Sequence, residues 1–227
     1  MRQVIALLML CLSLGQSGIT GVVEQTSLGG NLYLVNKTYR LTEHYVPPDL
    51  VKPQVKMTTG GIRMRKEAAE ALEQLFQQAG EQGHTLVAVS GFRSYETQRI
   101  IYQRKINNSG KRAAELYVAP AGASEHQLGL AMDIGRRGNN GLNGSFGKSK
   151  EGQWVAQNAH RFGFIIRYEA EFTEITGYAY EPWHIRYVGI AHATEIFKRG
   201  IPLETYVEEL SQSTFGGLLH HASHPAD

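Results

Sequence analysis

Two histidines and one aspartate carry the chemistry most readily read from this chain. His126 and Asp133 lie in the stretch S-E-H-Q-L-G-L-A-M-D at 124–133, and His184 ends the tetrapeptide E-P-W-H at 181–184. Two imidazoles and a carboxylate suit one zinc ion, and three protein ligands leave a fourth position open for water, the arrangement of a catalytic site. A purely structural zinc site would normally close that position with another side chain.

Glu181 precedes His184 by three positions, near enough to serve the same site without ligating. As general base it would take a proton from zinc-bound water and pass it to the leaving amine, while zinc acidifies the water and polarises the scissile carbonyl. The bland alternative is a strand-end glutamate in a surface ion pair. Asp133, at the end of an apolar strand, would be costly to bury alone, and a cation beside it removes that cost. Arg93 falls between a strand and a helix, and its fork of donors suits a terminal carboxylate, which would make the protein an exopeptidase.

These groups need elements to bring them together. Ligands of one zinc ion lie about 2.0–2.2 Å from it. Seven residues span roughly 10 Å along a helix and over ~20 Å along a strand. The chain must therefore bend between His126 and Asp133, and Gly129 is the residue best able to allow it. Beyond the bend, 130–134 reads as a short buried strand with Asp133 near its end.

Ala68, Ala71, Leu72, Leu75, Phe76 and Ala79 form one helical face that ends near 80–83, followed by a strand at 86–89. Ser94 is the expected N-cap of a second helix with apolar positions at Ile100, Ile101 and Ile106. A short helix at 113–117 follows. The Gly- and Asn-rich stretch 135–147 reads as a mobile surface loop beside the site. A third helix is expected at 152–162, strands at 164–168 and 181–188 with a polar connection at 169–176 between them, and helices at 190–198 and 203–210. No βαβ period repeats, so the fold class is α+β, a small mainly antiparallel sheet with flanking helices.

The 227 residues allow one domain with a sizeable core plus appendages. The formal charge of +2 argues against a polyanion-binding protein, so no nucleic-acid partner is expected. Arg2 and the apolar run at 4–12, too short to span a bilayer, read as a signal peptide at 1–18 cleaved after Gly15 or Ser17. The alternative is a buried strand or an uncleaved anchor. The mature chain would lack cysteine, since Cys11 lies in the removed segment. An N-terminal arm is expected at 19–55, a catalytic domain at 56–210 and a polar tail at 211–227. His220, His221 and His224 in that tail are excluded from the site, having no packed framework around them.

Over residues 86–210 the chain resembles the zinc D-alanyl-D-alanine carboxypeptidases of the VanY type. The resemblance rests on S-G-F-R-S at 90–94, the 124–133 stretch, G-F-I-I-R-Y at 163–168 and E-P-W-H-I-R-Y-V-G at 181–189. It implies a fold shared with hedgehog-type domains, His126, Asp133 and His184 as ligands of one zinc ion, and Glu181 as catalytic base. It further implies that Arg93 holds the substrate's terminal carboxylate, that Gln98, Ser124 and Tyr168 line the pocket, and that Trp183 forms part of its wall. Phe92 stands where many relatives carry tyrosine. The implied substrate is the stem peptide of peptidoglycan, cut outside the cytoplasmic membrane to release a terminal D-alanine.

Two rival readings share these residues. One is an L,D-carboxypeptidase or related peptidoglycan peptidase with the same metal and base, differing around Arg93 and Tyr168. The other is a wall-binding or zinc-stabilised module without turnover, which the presence of Glu181 disfavours.

Overall fold

The sheet that carries the site has strand order β3-β4-β6-β5, every pair antiparallel. Its strands are β3 (Leu86–Ser90), β4 (Ala131–Arg136), β5 (Phe164–Ile166) and β6 (His184–Tyr187). The two central strands are buried almost throughout, as expected of strands covered on both faces. A computed structural model describes residues 30–221 of the chain. The expected signal peptide, the start of the arm, and His224 lie outside the described residues.

A two-stranded ribbon, β1 (Leu50–Val51) with β2 (Met64–Arg65), leads directly into α1 (Lys66–Glu81). Leu72 and Leu75 of α1 pack with Leu130, Met132 and Ile134 of the β4 segment in the main core. The stretch read as an arm carries Leu32, Leu34, Val35 and Leu41 into the protein interior. Leu32 and Leu34 join Val188, Ile196 and Leu203 in a second cluster beneath α6 (Ile190–Arg199) and α7 (Leu203–His221). The helix expected at 203–210 thus continues to His221. No helix among the described residues is long and apolar enough to cross a membrane.

α2 (Tyr95–Ser109) is capped as expected, with the Ser94 hydroxyl accepting from the Thr97 amide at 3.3 Å. Its apolar pattern misleads, however: Ile100 is 46 % exposed, and the one buried residue of the helix is Gln98. This helix turns Gln98, Ile101 and Lys105 to the cleft rather than to the core, and its deepest position is an amide. α3 (Lys111–Tyr117) packs beside it. The expected third helix splits into α4 (Lys150–Asn158) and a 3-10 turn (Ala159–Phe162) closed by Gly163 at φ 83°. The polar connection at 169–176 contains a 3-10 turn and the one-turn α5 (Thr173–Thr176).

Candidate active site

Strand register assembles the centre. Asp133 sits opposite His184 across β4–β6 and opposite Ser90 across β3–β4, where the register shifts between Ala88 and Ser90. Asp133 lies in the middle of β4 rather than near its end. Its neighbour His126 arrives from a 3-10 turn (Glu125–Leu128) that Gly129 closes in the left-handed conformation, φ 70°. The bend needed between the two residues is therefore made by one turn of tight helix and one glycine. A Cβ on Gly129 would stand 2.9 Å from Leu50 Cδ2 and 3.1 Å from Arg65 Cγ.

The two imidazoles offer defined nitrogens. His126 Nδ1 lies 2.7 Å from the Gly91 carbonyl oxygen. A carbonyl only accepts, so Nδ1 carries the proton and Nε2 faces Asp133 Oδ2 at 3.2 Å. His184 turns Nδ1 to Asp133 Oδ1 at 3.1 Å and Nε2 to Glu125 Oε2 at 3.4 Å. One ligand atom from each of His126, Asp133 and His184 falls within 4.8 Å of the others, and all three residues are buried. Two imidazoles whose outer nitrogens are already engaged, converging on one carboxylate, form a donor set that fits zinc.

Charge supports the same reading. Burial alone would raise the Asp133 carboxyl, but His126 and His184 hold it far below the usual carboxylate range. Burial pushes His126 down, towards the neutral form that a ligand requires. His184 behaves oppositely: burial would lower it, yet its hydrogen bonds to Asp133 and Glu125 raise it to about 9. Glu181, at the turn before β6, is raised to about 8, chiefly by burial and further by Asp133, against the pull of His184 and Arg93.

Beneath His184 lies a buried ionic layer that the sequence reading missed. Glu125 is 1 % exposed. Its Oε1 accepts from Arg167 Nε at 2.8 Å and Arg186 Nη1 at 2.7 Å. Arg167 also forms a fork with Glu204 of α7, at 2.9 and 2.6 Å. Burial would raise the Glu125 carboxyl, but these two guanidinium groups hold it well below its ordinary value. The available signal was an arginine inside each of two apolar runs, F-I-I-R-Y and H-I-R-Y, since buried arginines require carboxylate partners.

One open cleft contains Arg93, Gln98, Ser124, Tyr168, Glu181 and Trp183 as well as the three donors. Arg93 donates to Gln98 Oε1 at 2.7 Å and Ser90 Oγ at 3.1 Å, and its Nη2 lies 3.6 Å from Asp133 Oδ2. Gln98 in turn donates to the Ala119 carbonyl at 2.6 Å, which fixes the guanidinium from behind. Tyr168 packs its ring 5.0 Å from that of His184. Tyr178, absent from the sequence reading, also lines the cleft, and its buried hydroxyl has no hydrogen-bond partner among the described residues. Leu142, Asn143 and Gly144 of the glycine-rich loop form part of the rim.

Comparison with known proteins gives this geometry a family. Residues 61–190 match VanY, D-alanyl-D-alanine carboxypeptidase. The chain belongs to the VanY family. Among its relatives is the putative carboxypeptidase YodJ of Bacillus subtilis, 46 % identical over 186 residues that cover 80 % of this chain and 68 % of that one. A D-alanyl-D-alanine carboxypeptidase of Enterococcus faecium is 33 % identical over 200 residues, 84 % of this chain but 62 % of that protein, less than two thirds of its length.

Solved VanY-like structures superpose on the same fold. The LdcB LD-carboxypeptidase aligns with a TM-score of 0.74 at 46 % identity, covering 79 % of this chain and 86 % of that one. A vancomycin-resistance D,D-pentapeptidase VanY variant in complex with Zn(II) aligns with a TM-score of 0.67 at 36 % identity, covering 78 % and 98 %. The α+β architecture expected from the sequence is the architecture of these carboxypeptidases.

Proposed function

We propose that this protein is a zinc metallocarboxypeptidase that removes the C-terminal D-alanine from peptidoglycan stem peptides, acting as a D-alanyl-D-alanine carboxypeptidase. The observation that carries the reading is the convergence of His126, Asp133 and His184 in one cleft with Glu181 and Arg93. Membership of the VanY family and the Zn(II) complex of a D,D-pentapeptidase VanY variant support the substrate class and the metal of this reading.

His126 would hold the ion through Nε2, His184 through Nδ1 and Asp133 through its carboxylate. Zinc, when bound, polarises the scissile carbonyl and lowers the pKa of the attacking water. The remaining work belongs to the chain. Arg93, steadied by Gln98 and Ser90, binds the terminal carboxylate and sets the scissile bond in the cleft. Glu181 accepts the proton of the attacking water and returns it to the departing amine. Burial, which raises its affinity for a proton to a pKa of about 8, suits it to both halves of that transfer. Ser124 and Tyr168 contact the peptide, and Trp183 walls the pocket.

A second reading has its own observation. The likeness to the LdcB LD-carboxypeptidase, at 46 % identity, favours cleavage of tetrapeptide stems. The decisive experiment is to incubate the zinc-loaded protein with tri-, tetra- and pentapeptide stems and weigh the products. Release of D-alanine from pentapeptide establishes the first reading, and release from tetrapeptide alone replaces it with the second. A substrate outside the cytoplasmic membrane accords with the expected secretion of the chain, or with its retention by an uncleaved N-terminal anchor. Detection of the chain in the culture medium, or in washed cell walls, tests that placement.

A further inference from the structure

The cleft does not stop at Arg93. Gln98, Ile101 and Lys105 all line it from α2, and spacings of three and seven place them on one face of the helix. Gln98 marks the deep end by holding Arg93. Lys105 stands roughly 10 Å further along the axis, at ~1.5 Å per residue.

Lys105 is half-buried. Among the described residues its ammonium has neither an ion-pair nor a hydrogen-bond partner, and it rests over the Tyr117 ring, 5.4 Å from the centroid. Two other cations of this region are paired, Arg99 with Glu96 and Lys111 with Glu115, whereas Lys105 is half-buried and faces the cleft. Around Lys105 the mouth of the cleft leaves large apolar side chains in water, with Tyr117 50 %, Tyr180 39 % and Leu142 38 % exposed. An uncompensated ammonium set among exposed aromatic and aliphatic surface is suited to a ligand that is part chain and part anion.

We propose that Lys105 and Tyr117 form an upstream subsite for a free carboxylate carried by the substrate peptide two to three residues before its C-terminal residue. The inference rests on the carboxypeptidase reading, which places the terminal carboxylate at Arg93. An extended peptide advances about 3.3 Å per residue, so the step from Gln98 to Lys105 corresponds to about three residues. The flexible lysine stem extends that reach to the neighbouring position. Among the described residues, Arg93 and Lys105 are the arginine and lysine side chains that line the cleft. A substrate with a terminal and an upstream carboxylate matches both. Either the α-carboxylate of a γ-linked glutamate or the side-chain carboxylate of a diamino diacid supplies the upstream group.

The test uses zinc-loaded full-length protein and peptides in matched pairs. One pair carries γ-linked glutamate or its amide, and the other a diamino diacid or lysine. Both kcat/KM and calorimetric affinity are measured for wild type, Lys105→Met and Lys105→Arg. Wild type should favour a carboxylate peptide over its neutral partner by roughly fivefold, the scale of a partly exposed ion pair. The ratio should shrink with added salt, fall towards one in Lys105→Met and survive in Lys105→Arg. The pair that shows the effect identifies the source of the carboxylate. Equal rates and affinities within both pairs, or a ratio unchanged by Lys105→Met, overturn the subsite and leave the carboxypeptidase reading intact. A carboxylate preference in binding, without turnover of any peptide, upholds the subsite and defeats that reading instead.

Discussion

Glu125 Oε2 stands 3.4 Å from His184 Nε2, on the side of the imidazole away from Asp133. The contact fixes which nitrogen of His184 is free to ligate, and it ties that choice to Arg167, Arg186 and, through Arg167, to Glu204 of α7. Removing the charge in Glu125→Gln leaves two buried guanidinium groups short of a partner, which costs about 3–5 kcal/mol for a buried pair. Zinc affinity should fall by about 10–100-fold, as when such outer partners are lost. Denaturant unfolding and chelator competition measure the two effects separately. Unchanged affinity would remove Glu125 from any role in orienting the ligand.

Glu181→Gln should keep zinc and lose turnover by about 10²–10⁴-fold, the usual contribution of a positioned acid–base group. Glu181 acts as a base only when ionised, so wild-type kcat/KM should rise with pH through its ionisation. Burial places that ionisation at about 8, and a bound cation moves it lower. The acidic limb should therefore lie below pH 8 and vanish from the residual activity of the variant. A variant with full activity would refute the assigned base.

Arg93→Lys keeps the charge and discards the fork. If Arg93 binds the terminal carboxylate, kcat/KM should drop by about 10–100-fold, the worth of a charge-assisted hydrogen bond. A peptide with an amidated C-terminus makes the comparison specific: wild type should discriminate against it strongly, and the variant weakly. Equal discrimination by both proteins would assign the carboxylate to another group.

Gly129→Ala tests the bend. The left-handed conformation costs a side chain about 1–2 kcal/mol, and the new methyl would press on Leu50 and Arg65. Lower stability together with weaker zinc binding is expected, because the same turn aims His126 at Asp133. Thermal unfolding of zinc-loaded and chelator-treated protein separates the two contributions. Loss of stability without any change in zinc affinity would mean that the turn does not position His126.

This turn also shows what the sequence could and could not disclose. The need for a bend between His126 and Asp133 followed from ligand distances, so Gly129 was legible from spacing alone. The strand register that sets Asp133 opposite His184 was not, because it depends on pairing between segments far apart in the chain. Ile100 was misassigned because helical periodicity assumes an apolar interior, whereas α2 turns Gln98 towards a cleft. The Glu125, Arg167, Arg186 and Glu204 layer comes from four separate segments of the chain, and no local pattern announces such a meeting. Tyr178 was hidden for the same reason: only its unpartnered hydroxyl in the folded cleft distinguishes it.

Zinc removal should reveal the protons that the centre holds. His184 is raised from its ordinary 6.5 to about 9, so in chelator-treated protein its stabilising contribution is full below pH 6.5 and is lost as pH rises through 9. Glu181, raised from 4.5 to about 8, acts in the same direction: its contribution is full below pH 4.5 and is lost through 8. Stripped protein should therefore lose stability from these two groups between about pH 5 and 9. A ligating imidazole must be neutral, so zinc binding at pH 7 displaces the His184 proton. Apparent affinity should then rise by about tenfold per pH unit up to pH 9 for each proton released. Chelator competition at pH 6, 7 and 8 reads that slope, and a flat profile would show that His184 is already neutral before zinc arrives.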